Sequence, residues 1–155
     1  MNQQRRTVLK LGTILGLAVS AGILRPEEAL AAQAQWNEKA FTATDIKGAV
    51  AGLGGDAASE SDKINLEAPD IAENGAVVPI VISSDLPEVT QISILVPKNP
   101  NTLTASFDIP EGTLPYVSTR IKMGGTSDVY ALVKSQGKFY TAHKEIKVTL
   151  GGCGG

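Results

Sequence analysis

The chain has 155 residues, 43% of them hydrophobic, with 14 Lys and Arg against 16 Asp and Glu and a net charge of −2. That length makes one domain with room for a core, and mild acidity without a basic run excludes a nucleic-acid footprint. One cysteine, Cys153, and one histidine, His143, cannot build a metal site, and a lone cysteine excludes an intramolecular disulfide or a two-cysteine redox pair.

The first element is a targeting segment. Arg5-Arg6 precedes an apolar run from Leu11 to Leu24, and small residues follow at Ala29-Leu30-Ala31 and again at Ala32-Gln33-Ala34. Charged, apolar and small regions in that order predict an export signal over residues 1–31, with cleavage after Ala31 or Ala34. The apolar run is about 14 residues long, too short to span a bilayer comfortably, so no membrane anchor is expected. The paired arginines point to the twin-arginine class, although Gln4 and Val8 stand where that motif favours Ser or Thr and Phe. Residues 1–31 hold Arg5, Arg6, Lys10 and Arg25 against Glu27 and Glu28. The remainder therefore keeps 10 basic and 14 acidic residues, a net charge of −4.

Trp36, Ala40, Ala43, Ile46 or Lys47, Val50 and Leu53 recur at steps of three and four, the stripe of an amphipathic helix that Gly54-Gly55 stops. Residues 56–62 are small and polar and read as a connector. The period then becomes two. Val77–Ser83 is β-branched, with Pro79 indicating an edge or a bulge. Ile92, Ile94 and Val96 share a face opposite Gln91 and Ser93. Leu103, Ala105, Phe107 and Ile109 alternate with Thr102, Thr104, Ser106 and Asp108, and Val117, Thr119, Ile121 and Met123 with Ser118, Arg120 and Lys122. Val129, Ala131 and Val133 lie opposite Tyr130 and Leu132, and Tyr140, Ala142, Ile146, Val148 and Leu150 share one parity. Turn residues separate these runs, so six or seven short strands are expected at 8–14-residue spacing. The expected fold is mainly β: an Ig-like antiparallel β-sandwich over residues 35–150 with an N-terminal helix, each strand having one apolar and one polar face. Tyr130 and Leu132 make the strand Val129–Val133 a candidate partner-binding face.

The last strand runs directly into Gly151-Gly152-Cys153-Gly154-Gly155. Glycine has no Cβ, so residues 151–155 are expected to be a slender swinging arm of about 16–18 Å reach that carries a thiol. No neighbouring side chain lowers the thiol pKa, so activation must come from a partner. His143 is ten residues away on the polar parity of the last strand and reads as a solvated surface residue. Lys144 and Lys147 read as solvated too, with the option of raising the potential felt by an anionic adduct. An exported odd thiol points either to an intermolecular disulfide or to reactive chemistry. An enzyme nucleophile would need a base and an oxyanion site, for which the glycine tip supplies no side chain.

The Gly-Gly-Cys-Gly-Gly terminus, the twin-arginine-like signal, the stretch Asn74–Ile80 and the block Val117–Val133 together closely resemble the SoxY family, the sulfur carriers of periplasmic thiosulfate oxidation. The resemblance implies a non-catalytic carrier without a cofactor, located in the periplasm, with Cys153 as the covalent attachment point and Gly151, Gly152, Gly154 and Gly155 as its arm. It implies a heterodimer with a signal-less SoxZ-like subunit. A cytochrome that loads thiosulfate, a hydrolase that releases sulfate and a sulfane dehydrogenase are implied as transient partners. The alternative is an exported Ig-like interaction module whose cysteine forms an intermolecular disulfide.

Overall fold

A computed structural model describes residues 37–149. Two short helices come first, α1 (Glu38–Phe41) and α2 (Ile46–Gly52). Of the expected stripe, Ala40 and Val50 are buried and Ala43, Ile46 and Leu53 partly buried, joined by Ala49, while Trp36 lies outside the described residues; the continuous helix is not formed. Asp45 interrupts it by capping α2, accepting a hydrogen bond from the Gly48 amide at 2.6 Å. The Thr102 amide then ties the break to the sheet by donating to the Ala43 carbonyl. Gly54, at φ +85°, ends α2 as expected, with the Gly55 amide on Val50 O and the Gly54 amide on Ala51 O. The helices touch where Gly52 lies on Ala40. A Cβ on Gly52 would sit 2.5 Å from Ala40 Cα. Gly52→Val is expected to cost about 1–3 kcal/mol by wedging the helices apart, read as a lower urea midpoint.

The strands are β1 (Ala58–Glu60), β2 (Ile64–Glu67), β3 (Ile71–Ala72), β4 (Val78–Ser84), β5 (Val89–Leu95), β6 (Leu103–Asp108), β7 (Tyr116–Ile121), β8 (Ser127–Ser135) and β9 (Lys138–Val148). The larger sheet has the order β1-β9-β8-β5-β6, with β3 also paired to β9, and the smaller has the order β2-β4-β7. Val78, Ile80, Ile82, Val117 and Ile121 from the smaller sheet meet Ile92, Ile94, Val129, Ala131, Val133 and Ile146 from the larger, which makes the expected sandwich core. Pro79 falls where β4 is locally an edge, because β2 pairs only with Val81–Ser84.

Four departures have physical causes. First, three strands lie in or just after the expected connector, and two of them, β1 and β3, pair with β9 in parallel rather than antiparallel fashion. Second, the outer face of the larger sheet is not a solvent face. Ala40, Ala49 and Val50 of the helices cover Leu95, Leu103, Leu132 and Phe139 there. Ser93, also on that face, is buried and satisfied by the Ser106 hydroxyl at 2.9 Å. Third, Leu103 joins this outer cluster while Phe107 and Ile109 pack on the inner core. A register shift opposite Ile94 and Leu95 places one extra residue in β6 and flips the strand's faces. Fourth, Leu132 is 1% exposed in the helix-covered cluster. With the half-buried Tyr130 it lines an open groove of about 400 Å³ that α2 also lines.

Candidate functional site

Cys153 and its glycines, Gly151, Gly152, Gly154 and Gly155, lie outside the described residues, as do the export signal and Leu150. What the structure places is the root from which that segment departs. β9 is 11 residues long, and from Lys138 to Ile146 it pairs with β8. β8 begins at Ser127, opposite Ile146, so β9 has no β8 partner beyond that point. There β9 changes neighbours. Lys147 and Val148 pair with Ile71 and Ala72 of β3. The Lys147 amide donates to Asp70 O at 3.0 Å, the Val148 amide to Thr126 Oγ1 at 3.0 Å, and the Thr149 amide to Ala72 O at 3.1 Å. Thr149 is thus tied down four residues before the cysteine, a span of at most about 14 Å at ~3.3–3.6 Å per residue.

Lys144 is not the solvated residue expected. It shares the parity of Ala142 and Ile146, and its ammonium donates to the Ala68 carbonyl and sits 2.9 Å from Asp70 Oδ1. That hydrogen bond, and then the lysine charge, hold the Asp70 carboxyl below its ordinary range. Lys147 is exposed and adds a smaller pull in the same direction. The Asp70 carboxylate balances the charge of Lys144, and Lys147 is the exposed positive charge beside the root.

His143 is exposed, as expected, with 45% of its side chain accessible. Its ring stacks on Tyr130 at 5.1 Å between centroids, and Nδ1 lies 3.7 Å from Glu60 Oε1, beyond hydrogen-bond range. Burial, and then the charges of Asp128 and Glu60, raise the Tyr130 phenol pKa. His143 lines a depression of about 490 Å³ with Glu60, Ser61, Asp62 and Thr141. Six residues of extended strand separate it from Thr149, about 20 Å at ~3.3 Å each. The imidazole could meet the thiol only if the terminal segment turned back along β9, so a Cys–His nucleophile gains no support. Among the described residues no group of three His, Cys, Asp or Glu is placed to hold a metal ion. Among the same residues no helix is long and apolar enough to cross a membrane.

The class these features define is an Ig-like sandwich whose final strand is rooted between two sheet neighbours and leads into a cysteine-bearing terminus. A family described as sulfur oxidation protein SoxY matches residues 50–153, from α2 through the cysteine itself. The chain belongs to the SoxY family. The sulfur carrier protein SoxY from Chlorobium limicola f thiosulfatophilum is 40% identical, with a TM-score of 0.59, over 65% of this chain and 92% of that one. A superoxide reductase (neelaredoxin) from Ignicoccus hospitalis is 20% identical, with a TM-score of 0.50, over 56% of this chain and 80% of that one. The second likeness concerns the fold alone. No curated protein sequence matches the chain.

Proposed function

We propose that the chain is a sulfur carrier of thiosulfate oxidation that holds the pathway's intermediates on Cys153. The observation that carries this reading is the family match, which runs unbroken from the sandwich to the cysteine at residue 153. The root at Thr149 supports it by giving a short glycine-flanked segment a defined base. Residues 151–155 act as the arm, residues 35–150 as the domain that presents it, and residues 1–31 as a twin-arginine signal that delivers the chain to the periplasm. A SoxZ-like subunit completes a heterodimer.

The chemistry needs a thiol and nothing else from this chain. Oxidative coupling of the Cys153 thiol to thiosulfate forms one S–S bond, releases one proton and passes two electrons to a partner cytochrome. Water then cleaves the terminal S–S bond in a partner hydrolase, so that sulfate leaves and a persulfide stays on the cysteine. A sulfane dehydrogenase then takes six electrons from that outer sulfur and passes them to its own acceptor, while three waters supply the oxygens and six protons leave; a second hydrolysis of the resulting S-sulfonate releases sulfate and frees the thiol. Each catalytic group belongs to a visiting enzyme, and the carrier contributes reach and a slim profile.

Intact-mass and peptide analysis of the chain from thiosulfate-grown cells tests the reading. Mass additions of sulfane sulfur or thiosulfonate on the Cys153 peptide are expected. Free thiol alone, or only a disulfide between two chains, would overturn it, the latter in favour of the interaction module.

A further inference from the structure

We propose that Lys144 is a positioning residue for the cysteine-bearing terminus. It clamps the segment Ala68–Asp70, which holds β3 on β9 and so sets where the arm leaves the sandwich. This inference rests on the reading of Cys153 as the carrier site.

β3 is two residues long and its strand partner is β9, so its own ladder gives it little hold. Yet β3 and the residue before it provide the carbonyls that receive the Lys147 and Thr149 amides, from Asp70 and Ala72 respectively. Ala72 is 6% exposed and secures one end of the segment in the core. Lys144 secures the other. Its stem starts at a core-facing parity of β9, where a charged head must find partners, and it finds the Ala68 carbonyl and the Asp70 carboxylate. A lone exposed ion pair would do little. Here the same residue, Asp70, is gripped twice by one strand: its carboxylate by Lys144 and its carbonyl by the Lys147 amide. That closes a small ring between residues 68–70 and 144–147.

Opening the ring releases Thr149 and moves the last fixed point of β9 back to Val148, whose amide still bonds Thr126 Oγ1. The tether to the sulfur grows from four residues to five. Under the −3/2-power law of tether length, the effective concentration of the thiol at a fixed partner site then falls about 1.4-fold. The direction in which the arm departs is also no longer set.

The test uses the full chain with its partner subunit and compares Lys144→Met, Lys144→Arg and Asp70→Asn by amide hydrogen exchange. In Lys144→Met the Lys147 and Thr149 amides should exchange at least about tenfold faster, the factor implied by loss of a charge-assisted bond. Amides within the β8–β9 ladder, such as Val133 and Ala142, should be unchanged. Lys144→Arg should restore protection, and Asp70→Asn, which keeps the bond to Ala68, should give a smaller rise. Alongside, the KM of the partner hydrolase for the loaded carrier should rise about 1.4-fold in Lys144→Met with kcat retained, as the fall in effective concentration requires. Unchanged exchange at Lys147 and Thr149 in both Lys144→Met and Asp70→Asn would overturn the clamp. Faster exchange with unaltered hydrolase kinetics would overturn the positioning role. Loading of the unsubstituted chain is read separately by mass, so absence of an adduct there defeats the carrier reading and not the clamp.

Discussion

Cys153→Ser is expected to abolish thiosulfate-dependent sulfur oxidation, down to the background of cells lacking the chain, while leaving the melting midpoint where it was. Oxygen replaces sulfur at one position, so the change in bulk is slight. The chemistry does not survive it, because a hydroxyl cannot form the S–S bond on which every proposed intermediate hangs. The serine side chain also remains protonated at neutral pH, whereas a cysteine of ordinary pKa, ~8.5, supplies several per cent thiolate. Stability should hold because the substitution leaves the buried core residues, which run from Ala40 to Ile146, as they are. The measurement pairs thiosulfate consumption with a thermal melt of the purified variant. Undiminished consumption would end the carrier reading and leave the cysteine a disulfide-forming residue.

The terminal motif is read from the sequence alone, since a cysteine between glycine pairs needs no fold to be noticed. The base on which it stands was not. Lys144 and Ala68 are 76 positions apart, and nothing in either neighbourhood announces the other. Residues 58–72 carry no sustained alternation, only Ile64 with Leu66 and later Ile71-Ala72, so β1, β2 and β3 depend on long-range pairing that local pattern cannot supply. Where alternation was long it read true. Ile80 and Ile82, then Val129, Ala131 and Val133, are all fully buried on the inner face. Alternation failed where a second layer or a bulge intervened. Leu132 and Ser93 are polar-face positions by period, but they lie on the sheet face that the helices cover, and the bulge in β6 sends Leu103 to the same outer cluster. The helix stripe survived a break at Asp45, because a cap changes the path of the chain without changing which residues need burial.

The largest expected loss of stability belongs to Ile146→Ala. Ile146 is fully buried in the inter-sheet core and is the last residue of β9 opposite β8. Truncating a buried isoleucine to alanine removes three carbons and leaves a cavity that close-packed sheets fill poorly, at a cost of about 2–5 kcal/mol. Against a total of about 5–15 kcal/mol for an ordinary domain that is a large share, and the melting midpoint should fall by roughly 10–20 °C. Ile71→Ala is the matched control. Ile71 lies at the same end of β9, paired with Lys147, but is 57% exposed, so its truncation should move the midpoint little, within about 0.5 kcal/mol. Urea unfolding of both variants decides the matter. Equal losses would mean that the end of β9 is not packed between the sheets, and a loss below about 1 kcal/mol at Ile146 would remove the residue from the core. Below its lowered midpoint, Ile146→Ala should still load Cys153 with thiosulfate-derived sulfur, because the core holds the base of the arm and takes no part in the S–S chemistry. A stable protein without cargo in Cys153→Ser, and a weakened one with cargo in Ile146→Ala, would assign stability to the sandwich and chemistry to the thiol.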